Sequence, residues 1–274
     1  MQHALSLWKS GNGSALKRLW AAKDTGRLES VVGPYKLFDS SFRTLQGSRW
    51  LSDEVIDAHL HRVIERRKNA VHLLCSVVAS SLFSGQFRCL TKMKFPVEDM
   101  WLCPVNFGTH WILVIVNISA QKILPIDPMG NEGVYDRKIL HNWRNFLRMR
   151  EDTMEWQLHT MQHNKQQDSS SCGVLLLKFA EQYLAFGEVS EVLTTTEAVV
   201  LERMQIACTL LEHQGNAEDY CTVCSMLDAD ADRSMIEMVQ CESCQRWAHF
   251  ACAKYKESNQ EYKCKNVRKT QNFK

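Results

Sequence analysis

Residues 111–116, WILVIV, form an unbroken apolar run rich in β-branched side chains, and a second run covers Lys122–Asp127 after a short polar break. Both runs are short and the second ends in the turn pair Asp127-Pro128, so together they predict an antiparallel hairpin. A tight turn centred at Ile118-Ser119 would set His110 roughly opposite Asp127. Upstream, Ser52 stands at a helix N-cap position, with Asp53 and Glu54 in a first turn where the helix dipole favours acids. Ile56, Leu60, Val63 and Ile64 then fall on one helical face, and Leu51 can staple onto Ile56 across the N-terminus. Downstream, Val174, Leu175, Leu177, Lys178, Glu181 and Gln182 have the spacing of an amphipathic helix over 173–186, ended near Gly187. Val199, Met204, Ile206 and Leu210 suggest a closing helix. Residues 1–30 carry only a weak helical period around Leu16–Ala22 and read as an N-terminal extension. Strands mixed with helices in this way predict an α+β fold.

The polar stretch QHNKQQDSSS, residues 162–171, stops abruptly at Cys172-Gly173, where the apolar helix pattern begins. A cysteine at that boundary is held by the helix core yet stays reachable from the loop. The helix dipole and unpaired N–H groups there stabilise negative charge, and Gly173 leaves the backbone beside the sulfur uncrowded. A thiolate attacking an acyl group also needs a base, an orienter for that base and donors for the oxyanion. His110 is the better base of the ten histidines, because the hairpin delivers Asp127 to it and a strand end is a rigid mount. His163 is nearer in sequence but has no obvious orienting acid. Gln166 is the candidate oxyanion donor, with Gln167 as its competitor. Each residue has a plain structural alternative as a buried thiol, a surface imidazole or a simple turn. On spacing alone the catalytic and scaffold readings stand level.

Composition narrows the surroundings more than the chemistry. The 274 residues suffice for one good core with a small appendage, or for two modest domains. A formal charge of +2 exerts no strong pull toward nucleic acid or a membrane. No apolar stretch reaches the roughly 18–20 residues of a membrane span, and MQHALSLWKSGNG is too polar for a signal peptide. No membrane and no direct nucleic-acid partner is expected, and a reducing compartment is, with cysteines kept as thiols or metal ligands.

Those cysteines are unevenly spread. Cys75, Cys89, Cys103, Cys172 and Cys208 are scattered, whereas Cys221, Cys224, Cys241, Cys244, Cys252 and Cys264 crowd the last fifth of the chain. The change in density marks a second module, joined through the polar segment His213–Glu218. Two Cys-x2-Cys hooks and His249-x2-Cys252 within so short a segment point to tetrahedral zinc. A module this small lacks the core to fold alone, so a structural Zn(2+) is the expected staple.

The set Trp50-Leu51-Ser52-Asp53, His110-Trp111, Asp127-Pro128 and Gln166-x5-Cys172-Gly173 resembles the ubiquitin-like-protein (SUMO/sentrin) proteases over about residues 31–213. The resemblance implies a papain-like fold of the adenain type, with His110, Asp127 and Cys172 as triad and Gln166 at the oxyanion. It also implies that Trp50 and Trp111 flank a narrow tunnel for a Gly-Gly tail, with Asp53 facing the substrate, and Gly173 joins them as a substrate-binding candidate. Only glycines could thread a slot between two indoles, which makes the slot a filter. Ser52 stands where the family usually has Asn, and Asp168–Ser171 replaces the usual Asn-Gly-x-Asp, so the resemblance does not specify which modifier is cut. It implies a deSUMOylase-like thiol peptidase acting in the nucleus. A protease for NEDD8 or ubiquitin is the neighbouring alternative, and a non-catalytic zinc-finger interaction protein is the alternative of another class.

The tail, residues 218–267 followed by a short 268–274 end, is similar to a PHD finger, with Trp247 two residues before His249. The cross-brace of that family implies Cys221, Cys224, His249 and Cys252 on one zinc, and Cys241, Cys244, Cys264 and an eighth ligand on the other. Val267 stands where the eighth ligand belongs, which predicts one firm site and one weaker one. A histone tail is the partner that such fingers imply. No aromatic cage is evident at Ile236, Met238 and Val239, while Asp228, Asp230 and Asp232 could meet a basic tail or simply be a solvated loop.

Overall fold

The computed structural model describes residues 11–66, 71–213, 215, 217, 220–226, 237–256 and 261–264. Its centre is a five-stranded mixed sheet in the order β3-β4-β5-β6-β7, built from β3 (Val71–Leu73), β4 (Met100–Asn106), β5 (Trp111–Asn117), β6 (Lys122–Ile126) and β7 (Gln157–Leu158). β4, β5 and β6 are mutually antiparallel, and β3 and β7 flank them in parallel. On one face pack α3 (Asp53–Glu65), α6 (Cys172–Phe186) and α7 (Thr196–Glu212); on the other lie α4 (Ser76–Phe83) and α5 (Glu132–Arg148). Trp111, Leu113 and Ile115 of β5 enter the first core, while Ile112, Val114 and Val116 enter the second. A strand covered on both faces needs apolar residues at every position, hence the unbroken run in its sequence.

The expected hairpin forms, but its register differs. Leu113 pairs with Ile126 and Asn117 with Lys122, so the turn centres on Ser119-Ala120 rather than Ile118-Ser119. Polar capping sets this. Asn117 Oδ1 accepts from Ala120 N at 2.9 Å, and Asp99 Oδ1 from Ser119 N at 2.7 Å. Gln121 closes the turn in the left-handed region at φ 53°. One step past the last pair therefore sets Asp127 beside Ile112, two positions from His110.

α3 begins after Ser52 as expected, although the Ser52 side chain makes no capping hydrogen bond. Leu51 and Ile56 both bury in the first core. α6 starts at Cys172 and ends at Gly187, which takes φ 76°. Residues 11–30, expected only as an extension, belong to the body. α1 (Gly11–Ala21) buries Leu16 in the first core, and Trp20 Nε1 donates to Phe42 O at 2.9 Å. Phe42 lies in the short helix α2 (Asp39–Arg43).

The cysteine-rich module has a small ribbon, β8 (Met238–Gln240) with β9 (Trp247–His249), and the short helix α8 (Phe250–Ala253). It rests on the ribbon of β1 (Leu28–Val32) and β2 (Tyr35–Phe38). Leu28 N donates to Ser225 O at 3.0 Å, and Gly215 N to Val31 O at 2.8 Å. A Cβ at Gly215 would stand 2.5 Å from Val31 O, so only glycine permits this approach. Tyr220 buries against Leu28 and Val31, with its ring 6.1 Å from Phe38. The polar segment at the junction is thus partly docked against the body.

Candidate active site and metal centres

Three of the expected residues converge at one end of the sheet. His110 precedes β5, Asp127 follows β6, and Cys172 is the first residue of α6. His110 Nε2 bonds Asp127 Oδ1 at 2.5 Å, and the ring lies near enough to Cys172 to feel its charge. Because Nε2 is taken by the carboxylate, Nδ1 is the nitrogen left for sulfur. Asp127 is fully buried, and its Oδ1 also accepts from Met129 N at 2.8 Å, which fixes the carboxylate plane. Burial opposes charge on His110, but its bond to the Asp127 carboxylate and the nearby Cys172 sulfur outweigh this and raise its pKa to about 9. The group is therefore an imidazolium at neutral pH, facing a sulfur at a helix N-terminus.

The two tryptophans differ in setting. Trp111 is 5% exposed and donates to Leu51 O at 3.3 Å, whereas Trp50 is 49% exposed and reaches across to Ser169 O at 3.1 Å. Trp50 thereby ties the start of α3 to the loop that leads into Cys172. Gly173 lets the two helix starts meet: a Cβ there would lie 3.2 Å from Leu51 Cβ and 3.3 Å from Ile56 Cδ1. Asp53 sits in the first turn of α3, partly exposed. Gln166 is pinned by its backbone, donating to Pro128 O at 2.6 Å. Its side-chain Nε2 donates to Asp168 O at 2.6 Å and lies 3.2 Å from Asp168 Oδ1. Both bonds turn the amide toward Asp168, so the side chain expected at the oxyanion braces the loop in this structure.

In the second module, Cys221, Cys224, His249 and Cys252 bring their ligand atoms within 4.8 Å of one another, and Cys241, Cys244 and Cys264 do the same. This is the partition that the cross-brace implies. Cys224 Sγ lies 3.5 Å and Cys252 Sγ 3.7 Å from His249 Nδ1, and Cys244 Sγ is 3.7 Å from Cys264 Sγ. Tetrahedral zinc with its usual bond lengths requires edges of about 3.5 Å for S–N and about 3.8 Å for S–S, so both donor sets fit. Backbone N–H groups also point at the sulfurs: His249 N lies 3.4 Å from Cys221 Sγ and Cys264 N 3.3 Å from Cys241 Sγ. Burial disfavours a Cys241 thiolate, but the N–H groups of Cys264, Cys244 and Ser243 prevail and bring it down to about 6. Such N–H···S bonds orient thiolate ligands. The expected eighth position, Val267, and the acidic run at 228–232 lie outside the described residues, as does Ile236.

Residues 49–213 match the model of the Ulp1 protease family, C-terminal catalytic domain. The chain belongs to the Ulp1 protease family. Residues 221–266 match the PHD-finger model. Human sentrin-specific protease 2 is 25% identical over 158 residues, covering 51% of this chain and 26% of its own length. A sentrin-specific protease of Caenorhabditis elegans is 25% identical over 181 residues, 61% of this chain and 26% of its own. The chain thus spans about a quarter of the length of these relatives. Among solved structures, the Ulp1 protease domain in complex with Smt3, the yeast orthologue of SUMO, superposes with a TM-score of 0.62 at 17% identity, covering 73% of this chain and 94% of that one. The Chaetomium thermophilum Ulp1-like SUMO protease catalytic domain gives 0.58 at 22% identity, covering 74% and 89%. At these identities the likeness is one of fold, and it places the α+β reading on a known architecture.

Within this Ulp1-type domain, three side chains matter that sequence reasoning passed over. Asp168 organises the loop before the cysteine: Oδ1 accepts from Ser170 N and Ser171 N at 2.8 Å each, and Oδ2 from Ser171 Oγ at 2.6 Å. Burial works against its ionisation, but these bonds hold its carboxyl below the usual range. An Asp followed by serines is the signal that could have found it. Arg203 of α7 is buried, donating to Ser170 O at 3.1 Å and Thr44 O at 3.2 Å, so its charge lies near both Asp168 and Cys172. Glu132 supplies what the reading of His163 lacked: Glu132 Oε1 lies 2.5 Å from His163 Nε2. His163 does have an acid partner.

Proposed function

We propose that this chain is a cysteine protease that cuts after the C-terminal Gly-Gly of a SUMO-like modifier, either maturing it or releasing it from a lysine. The observation that carries this reading is the single His110 imidazole held by Asp127 on one nitrogen, beside Cys172, with the other nitrogen left for the sulfur. In the proposed mechanism His110 keeps the thiolate as an ion pair, and Cys172 Sγ attacks the carbonyl carbon after Gly-Gly. The oxyanion is met by the Cys172 N–H, which has no intrahelical partner, and by Gln166 Nε2 once its amide turns from Asp168. His110 Nδ1–H then protonates the leaving amine and the C–N bond breaks. Water, losing its proton to His110, hydrolyses the thioester and restores the thiolate–imidazolium pair. Trp50 and Trp111 form the proposed walls of the glycine slot, with Asp53 at its approach. The boundaries belonging to this reading are residues 31–213 for the protease and 218–267 for the finger. A purely non-catalytic role would not require a buried carboxylate, an imidazole and a thiol in one line.

The reading is tested with C-terminal electrophilic probes built on SUMO, NEDD8 and ubiquitin. The SUMO probe should label wild type and spare Cys172→Ala. Equal failure of wild type and Cys172→Ala with all three would sink the enzyme reading, and labelling by the NEDD8 or ubiquitin probe alone would reassign the substrate.

The raised pKa of His110 gives a pH signature. Amine release needs the imidazolium, so kcat/KM for an amide-linked substrate should fall as pH rises through about 9. The linkage has the same sign. A histidine raised in the folded state stabilises it fully below about 6.5, and that contribution is lost as pH climbs through about 9. A flat profile from pH 7 to 10 would contradict both.

The same proposal assigns Zn(2+) to the finger, as structure and not as a participant in catalysis, with the Cys221 set the firmer site. It includes a nuclear site of action and a protein partner for the finger, a histone tail being the one that the PHD family suggests.

A further inference from the structure

Behind Asp127 lies a second acid–imidazole pair. His163 and Glu132 are nearly buried, with side-chain exposures of 4% and 10%. His163 Nε2 lies 2.5 Å from Glu132 Oε1, and Nδ1 lies 3.0 Å from Asn164 O. Both partners can only accept. A neutral imidazole has a single N–H, so a ring facing two acceptors donates twice and is an imidazolium. Both its nitrogens are thus engaged and neither is left for Cys172, which removes it as a competitor of His110. The charged groups that face it are Glu132, from the first turn of α5, and Asp127, from the end of β6. Asp136, one helical turn further along α5, in turn faces Glu132.

What distinguishes this pair from an ordinary buried ion pair is what it touches. Glu132 Oε1 also accepts from the backbone N of Asp127 at 3.1 Å, so it holds the residue that orients His110. Three residues past His163, Gln166 N is tied to Pro128 O, and Asn164 Nδ2 anchors the same loop to Ser190 O and Val192 O. The His163 ring packs edge-on against Phe179, 5.1 Å away, two turns along the helix that begins with Cys172. The strand end carrying Asp127, the loop carrying Gln166 and the helix carrying Cys172 therefore meet at this one pair.

We propose that His163 and Glu132 are positioning residues that register Asp127 and Gln166 against Cys172. The proposal rests on the catalytic roles given above to Asp127 and Gln166. Neither residue touches the substrate slot, so the pair acts on turnover and not on binding.

His163→Leu removes the donor and leaves Glu132 buried without its counter-charge, so Glu132 should leave Asp127 N. The expected result is a kcat about 10–100-fold lower with KM within about twofold, because misplacement by about an ångström has effects of that size. The alkaline limb of the pH profile should move down by about one unit as Asp127 loosens its hold on His110. His163→Gln, whose Nε2–H overlays that of histidine, should recover most of the rate. If His163→Leu fails to fold, Glu132→Gln decides: it keeps the shape, removes the charge and should lower kcat with the same sparing of KM.

Folded variants with wild-type kcat and an unmoved alkaline limb would overturn the proposal, as would a loss confined to KM. Wild type inert to every probe would instead overturn the functional reading. NMR titration of His110 in wild type and His163→Leu would still decide the pair, since an unchanged His110 titration means that no positioning is transmitted.

Discussion

Asp127→Asn is expected to lower kcat by about 10³–10⁴-fold while leaving the modifier's affinity nearly intact, on the scale found when the orienting carboxylate of a hydrolase triad is neutralised. The carboxylate accepts the hydrogen bond of His110 Nε2 at 2.5 Å and is itself fixed by Met129 N. An amide in the same place can offer its oxygen, but no charge to hold an imidazolium. His110 then loses its main reason to stay protonated beside Cys172 and becomes a neutral imidazole. Asp127 is fully buried and Asn is its isostere, so the fold should survive. Single-turnover cleavage of a SUMO-linked lysine, measured with binding to the Cys172→Ala form, separates the two effects. A loss of less than tenfold would show that Asp127 is not the orienter.

Metal removal is the second large effect. A chelator in excess should unfold the module of 221–264 while the five-strand body keeps its structure. Its described residues hold two three-residue strands and a four-residue helix, and their interior consists largely of the ligands themselves. Metal binding supplies about 10–16 kcal/mol in fingers of this kind, which is far more than so few apolar contacts can replace. Release should come in two steps, the Cys241 set first if Val267 indeed leaves it one ligand short, and the Cys221 set later. Metal analysis against competing chelator would show this, and two equally tight zincs would refute it. The contact of Tyr220 with Leu28 and Val31 predicts a further consequence, a faster amide exchange in β1 and β2 once the metal is gone.

The candidate site residues were the legible ones, for a physical reason. A nucleophile at a helix start, an imidazole at a strand start and an acid after the next strand lie on local elements, and local pattern reports such elements well. Cys172 opens α6 where the polar loop stops, and Gly187 closes it. The finger's hooks were as clear, since paired cysteines two apart have few other uses.

What escaped was contributed by residues whose significance comes from burial. Arg203 looked like one polar residue among many in a helical pattern, and only the approach of α7 to the loop at Ser170 makes its guanidinium a brace. Glu132 opens a helix where an acid is ordinary, and nothing local reveals that His163 folds back onto it. The hairpin register was set by Asn117 and Asp99 side chains, which a count of turn residues does not include. Residues 11–30 showed too weak a period to be placed, because their helix is held by Leu16 and Trp20 meeting distant partners.

The sequence by itself determined the candidate nucleophile, its base and acid, the two ligand hooks and the mixed class of the fold, because each is encoded in residue type and short-range spacing. Only the tertiary structure decided which histidine is free to work and which is locked by Glu132, how the finger rests on β1 and β2, and what braces the loop ahead of Cys172. Those depend on contacts between segments distant in the chain, whose geometry exists only once the core has closed.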